Sequence, residues 1–214
     1  QGKLIVVAKP GGEFGNSDFG MGTAGDGVPD LGGPIPGSCA DGSAQASRVV
    51  PTVMLVLDGS CSMSTEYPSS GESAMRCEDR ANSRWSALRD ALLAPSTGVI
   101  TRLESAVKFG AAIYGTEPTC PIPGEVIAPA LDNRAAIEGQ FGAQPPGRYT
   151  PPGPALDQVY DEIFAGIVNA PDREDGPLIV LLATDGEPNS CDNADTNYQP
   201  SLDAVTRSAM GGVT

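Results

Sequence analysis

The sequence predicts an α/β fold built on a mostly parallel sheet, and three runs of residues carry that expectation. Residues 53–57 (Val-Met-Leu-Val-Leu) and 178–183 (Leu-Ile-Val-Leu-Leu-Ala) are apolar without polar alternation. That is the pattern of strands covered on both faces. Between them, Ala155, Leu156, Val159, Tyr160, Ile163, Phe164 and Ile167 recur at three-and-four spacing, which marks an amphipathic helix able to cover such a sheet.

Taken in order, residues 1–48 are rich in Gly, Pro, Ser and Asp with few large apolar side chains. They read as a flexible linker or tail, because so little apolar surface cannot offset ordering entropy. Gly2 to Ala8 could add a short strand, and Asp26 to Asp30 form an acidic turn with too few acids for a calcium loop. The folded domain is expected over 49–214. It starts with a strand at 52–57 and a polar insert from Ser64 to Asn82, followed by a helix from Ser83 to Leu93. A helix near 98–106 feeds a strand at 107–114, whose antiparallel edge neighbour is expected at 125–129. A helix from Asn133, the long helix from Pro154 to Asn169, a strand at 177–183 and a helix at 201–210 complete the pattern, with Gly211-Gly212 as its stop.

Both buried-type strands end in an aspartate. Asp58 opens an Asp-x-Ser-x-Ser cluster with Ser60 and Ser62, and Asp185 sits in a Thr-Asp-Gly turn. Ligands of open α/β sheets gather beyond the carboxyl ends of the strands, so both clusters stand where a site is expected. Thr150 lies in a loop just ahead of the long helix. Carboxylates and hydroxyls are hard oxygen ligands that suit Mg²⁺, Mn²⁺ or Ca²⁺ rather than zinc or copper.

In order and spacing these three segments resemble the von Willebrand factor A domain, also called the integrin inserted domain, and its metal-ion-dependent adhesion site. Arg84-Trp85, Phe109-Gly110 and Pro188-Asn189 are similar to the bacterial branch of that family. The resemblance spans residues 52 to about 210 and implies a Rossmann-like, doubly wound three-layer fold. It implies that Ser60, Ser62 and Thr150 bind one Mg²⁺ through their hydroxyls, while Asp58 and Asp185 bind directly or through water. A position left for the carboxylate of a protein partner follows from the same resemblance. Bulky Arg148 and Tyr149 precede Thr150 where many members have a small residue, and Glu187 and Asn189 lie beside the expected ion.

Composition narrows the functional classes. A net charge of −14 and a pI near 4.2 oppose nucleic acid and anionic membrane surfaces. No apolar run approaches the roughly 20 residues of a membrane span. The chain has no His, so neither a Ser-His-Asp nor a Cys-His nucleophilic arrangement can be built from it. A Mg²⁺-dependent hydrolase using Asp58 would need a phosphate clamp or a Gly-rich phosphate loop, and no such motif accompanies the cluster. An intracellular, chelatase-type domain coupled to an ATPase is the alternative binding role, opposed by the cysteines and the Gly/Pro linker.

The five cysteines, at 39, 61, 77, 120 and 191, include no C-x-x-C pair and read as disulfides of an oxidising compartment. Of the fifteen two-bridge arrangements that five cysteines allow, Cys61 with Cys191 and then Cys77 with Cys120 are the first choice, leaving Cys39 in the tail. An extracellular, periplasmic or cell-surface location follows. The resemblance calls for a fifth parallel strand where the sequence stops, and no initiator Met or signal peptide opens it. The chain is therefore expected to be part of a longer protein.

Overall fold

The computed structural model describes residues 49–67, 77, 81–115, 119–143, 149–171, 176–192 and 195–214. The N-terminal linker with its acidic turn, Cys39, most of the polar insert and Arg148 lie outside the described residues.

Strand β1 (Thr52–Asp58) is the centre of the sheet. It pairs in parallel with β2 (Lys108–Tyr114) on one side and β4 (Leu178–Ala183) on the other. The short β3 (Ile127–Ala130) adds antiparallel to β2, giving the order β3-β2-β1-β4. Asn133 fastens the irregular β2–β3 pairing by donating its side-chain N–H groups to Phe109 O at 2.7 Å and Ala128 O at 2.9 Å.

The period of two in β1 divides the core. Leu55 and Leu57 join Trp85, Leu93, Ile100, Ile137 and Phe141 on one face, where α1 (Arg84–Leu93), α2 (Val99–Leu103) and α3 (Arg134–Ala143) lie. Met54 and Val56 join Tyr114, Leu156, Val159, Phe164 and Ala204 on the other. That face is covered by α4 (Pro152–Val159), a π-helical turn (Tyr160–Phe164), α5 (Ala165–Val168) and α6 (Gln199–Met210). The result is the three-layer α/β fold expected from the unbroken apolar runs. No helix among the described residues is long and apolar enough to cross a membrane.

Element boundaries follow local chemistry. Ser83 caps α1 with a reciprocal box: its hydroxyl accepts from Ser86 N while Ser86 Oγ accepts from Ser83 N. The helix expected from Pro154 starts two residues earlier because Pro152 occupies the first turn, where a missing N–H costs nothing. At the far edge of β4, Val213 bridges Leu178 in parallel, in the position expected of a fifth strand. Thr214 N–H donates to Leu178 O at 2.8 Å, and Val180 N–H donates to Thr214 O at 2.7 Å.

Gly153 sets the approach of α4 to α6. A Cβ there would lie 2.5 Å from Pro200 C and 2.7 Å from Ser201 N, whereas one at Gly139 or Gly166 would meet nothing within 4 Å. Gly153→Ala should therefore cost about 1–3 kcal/mol by forcing two helix backbones apart. Gly139→Ala, in the exposed part of α3, should stabilise by roughly 0.5–1 kcal/mol through helix propensity. Denaturant unfolding of both variants measures the contrast, and equal effects would contradict it.

Candidate metal centre

Asp58 is the last residue of β1 and is fully buried. The chain turns immediately at Gly59, whose N–H donates to Tyr114 O at 2.8 Å. A Cβ at Gly59 would sit 2.8 Å from Ile113 Cγ2 and 3.0 Å from Tyr114 O, so this turn packs too closely on β2 for a side chain. Ser60 N–H then folds back to donate to Asp58 Oδ1 at 2.8 Å. A 3₁₀ turn, Cys61–Ser64, follows, with Met63 buried as its anchor in the core.

This folding aligns the oxygen groups. Ser60 Oγ and Ser62 Oγ are 2.8 Å apart, and Ser62 Oγ donates to Asp185 Oδ1 at 2.7 Å. From the end of β4, Thr184 Oγ1 donates to Asp58 Oδ2 at 2.8 Å. Two neighbouring parallel strands thus present two carboxylates and two hydroxyls in one hydrogen-bonded chain, as Asp58, Ser60, Ser62 and Asp185. Thr150 is buried, and its hydrogen bonds run to Asn189 rather than to any of these four residues. Its N–H donates to Asn189 Oδ1 at 2.6 Å, and Asn189 N–H donates to Thr150 O at 2.9 Å, clamping the loop before α4 to the turn that carries Asp185. Asn189 thereby shapes the turn, while exposed Glu187 accepts from Thr196 Oγ1 at 2.8 Å within the same loop. Tyr149 is half-buried beside Thr150.

Burial raises the proton affinity of Asp58, and the charge of Asp185 raises it further; hydrogen bonds from Ser60 and Thr184 pull it partly back. No ion pair of Asp58 occurs among the described residues. Tyr114 lies directly opposite Asp58 in the β1–β2 register, and its hydroxyl is buried without a hydrogen-bond partner among the described residues. Burial and the Asp58 charge push that phenol well above its ordinary range. Among the described residues no three His, Cys, Asp or Glu are grouped so as to hold a metal ion; the donors gathered here are two carboxylates and two hydroxyls. Such a set fits a hard divalent cation and fits neither zinc nor copper.

Three contacts at this centre are not legible in the sequence. Arg84, the first residue of α1, donates from Nη1 to Asp185 Oδ2 at 2.6 Å. Thr184 and Tyr114 complete the surroundings of Asp58. The adjacency of Thr184 to Asp185 was the only signal for the second, and nothing in the spacing of residues 84 and 185 signals the first.

The disulfides differ from the expected pairs. Cys61 bonds Cys77 and Cys120 bonds Cys191, with Cα separations of 4.8 and 5.8 Å. The reason is local. Ser60 and Ser62 turn toward each other and Asp185, and Cys61 between them is joined instead to the returning insert. That insert is closed at its base by a Glu66–Ser83 bridge and by Ser64 Oγ donating to Cys77 O at 2.6 Å. Cys191 is left to meet Cys120, in the loop beyond β2.

No family model matches the chain, and no curated protein matches it. Among solved structures it is similar to the pilus adhesin SpaC of Lactobacillus rhamnosus GG, at 18% identity and a TM-score of 0.45, over 67% of this chain and 16% of that one. It is also similar to proximal thread matrix protein 1 of the mussel byssus, at 18% identity and a TM-score of 0.47, over 80% of this chain and 38% of that one. The chain therefore spans less than two fifths of the length of either protein.

Two measurements test this centre. Because burial raises the folded Asp58 value above its ordinary 3.8, the native state holds a proton that the unfolded chain has already released between the two values. Stability of the metal-free protein therefore falls as pH rises through that window. Asp58→Asn should remove this slope and melt higher than wild type at pH 7 in chelator. A lower melting temperature would mean that the hydrogen bonds to the carboxylate outweigh its desolvation. Separately, non-reducing peptide mapping should recover Cys61 linked to Cys77, and replacing both with Ser should lower unfolding free energy by about 3 kcal/mol, the amount expected of a loop this short.

Proposed function

We propose that residues 49–214 form a metal-dependent protein-binding module of the von Willebrand factor A type, acting in adhesion or assembly at a cell surface or in a secreted protein rather than in catalysis. The observation that carries this reading is the hydrogen-bonded chain from Asp58 through Ser60 and Ser62 to Asp185, which joins the ends of two parallel strands with hard oxygen donors only. Asp58, Ser60, Ser62, Thr150 and Asp185 would hold one Mg²⁺, with Mn²⁺ or Ca²⁺ as substitutes. When bound, the ion supplies an electrophilic centre, because two carboxylates leave a divalent cation attractive to a further anion. That anion would be an exposed Asp or Glu carboxylate of a protein partner.

The chain's own residues do the arranging. Thr184 and Ser60 N–H orient the Asp58 carboxylate, Ser62 ties Asp185 to the loop, and Asn189 holds Thr150 against the same turn. The two disulfides support an oxidising compartment, and therefore an extracellular, periplasmic or surface setting.

Calorimetric titration tests the reading. Mg²⁺ should bind wild type with a dissociation constant in the range of about 10⁻⁴–10⁻³ M, and Asp185→Ala should weaken it at least ~10-fold. Identical heats for the two proteins would refute metal binding at this centre.

A further inference from the structure

Arg84 stands at this centre with no part in the ligand set just described, and its position is fixed from two sides. Its backbone N–H donates to Thr65 O at 2.9 Å, tying the start of α1 to the loop that carries Ser60 and Ser62. Its guanidinium donates to Asp185 Oδ2 at 2.6 Å. The Asp185 side chain is only 6% exposed, while that of Arg84 is 30% exposed, so the cation reaches from the carboxylate to the surface.

Two consequences follow from charge and from lone pairs. Asp185 Oδ1 accepts from Ser62 and Oδ2 accepts from Arg84, so an ion drawing on Asp185 takes a carboxylate whose charge is already engaged in a charge-assisted hydrogen bond, one of the stronger kinds available to it. Arg84 also changes the sum of charges. Asp58 and Asp185 alone would bring a bound divalent cation to neutrality, whereas with Arg84 the loaded centre carries one net positive charge. A neutral centre attracts an anion only at contact; a positive one attracts it at a distance.

We infer that Arg84 is the second cation of this site. It weakens metal binding by competing for Asp185, and it strengthens capture of a carboxylate by the loaded site, using the fork of donors that a guanidinium offers. The inference rests on the metal-binding reading above and adds a second point of contact to it: the partner's carboxylate has one oxygen for the ion and one for Arg84. A backbone carbonyl or an amide, with a single oxygen and no charge, is rejected.

The test uses the full chain, with Mn²⁺ as the metal probe and acetate as the carboxylate probe. Arg84→Gln should bind Mn²⁺ at least about 5-fold more tightly than wild type, and at saturating Mn²⁺ it should bind acetate at least about 5-fold more weakly, the lower end of typical coupling between two sites. Arg84→Lys, which keeps the charge and loses the fork, should restore Mn²⁺ affinity to near wild type and acetate affinity in part. Acetamide should bind none of them. Opposite movement of the two affinities is a signature that damage to the fold cannot produce, since damage weakens both. Unchanged affinities, or both moving together, would overturn the role of Arg84 while leaving the metal site standing. Failure of Mn²⁺ to bind either protein would overturn both readings. Binding to Arg84→Gln alone would uphold the competition and refute metal binding by the native chain. With Mn²⁺ present, an Asp-containing peptide amidated at its C-terminus, set against an Ala peptide with a free C-terminus, distinguishes a side-chain carboxylate from a terminal one.

Discussion

The burial of one carboxylate governs this structure. β1 is flanked by parallel neighbours on both edges and covered by helices on both faces, so the charged group at its end is removed from water by the same packing that stabilises the sheet. A buried, unpaired charge is among the costliest groups a fold can hold. The local structure reads as a response to that cost. Gly59 lets the chain turn tightly enough for Ser60 N–H to reach back, and Thr184 at the end of the adjacent strand contributes its hydroxyl. Sheet register and site geometry are therefore one problem: β1 and β4 must align through Leu57 and Ala183 for Thr184 to reach Asp58.

The second carboxylate is treated differently. Asp185 has a cation of its own, and the pair spans two layers of the fold, from the β4 turn to the first residue of α1. Asp58 is thus held by neutral donors and Asp185 by a charge. A divalent ion would relieve the first of its desolvation cost and would compete with the partner of the second. On the proposed reading, the two halves of the centre would pull metal affinity in opposite directions.

Much of this was legible in the sequence, for reasons that can be named. The strands announced themselves because burial on both faces leaves no polar alternation, and Asp58, Ser60 and Ser62 could be grouped because a single loop carries all three. Asp185 followed from the repetition of the same construction at the end of β4. What stayed hidden depends on side-chain direction rather than on element type. The pairing of Arg84 with Asp185 crosses 101 positions, and no period connects them. Proximity to one end of the sheet does not select disulfide partners: Cys61 lies between two serines that turn toward each other and Asp185, and it bonds Cys77. The π-helical turn at Tyr160–Phe164 also leaves no trace in a pattern whose three-and-four spacing runs straight through it.

The doubly closed base of the insert has a wider meaning. The Glu66–Ser83 bridge and the Cys61–Cys77 bond pinch the chain at its exit from the Ser60–Ser62 loop and at its return toward α1. Together with the bond from Arg84 N–H to Thr65 O, these closures lash the first turn of α1 to the chain leaving Ser62. A force applied to α1 would therefore be felt at the oxygen donors without passing through the sheet.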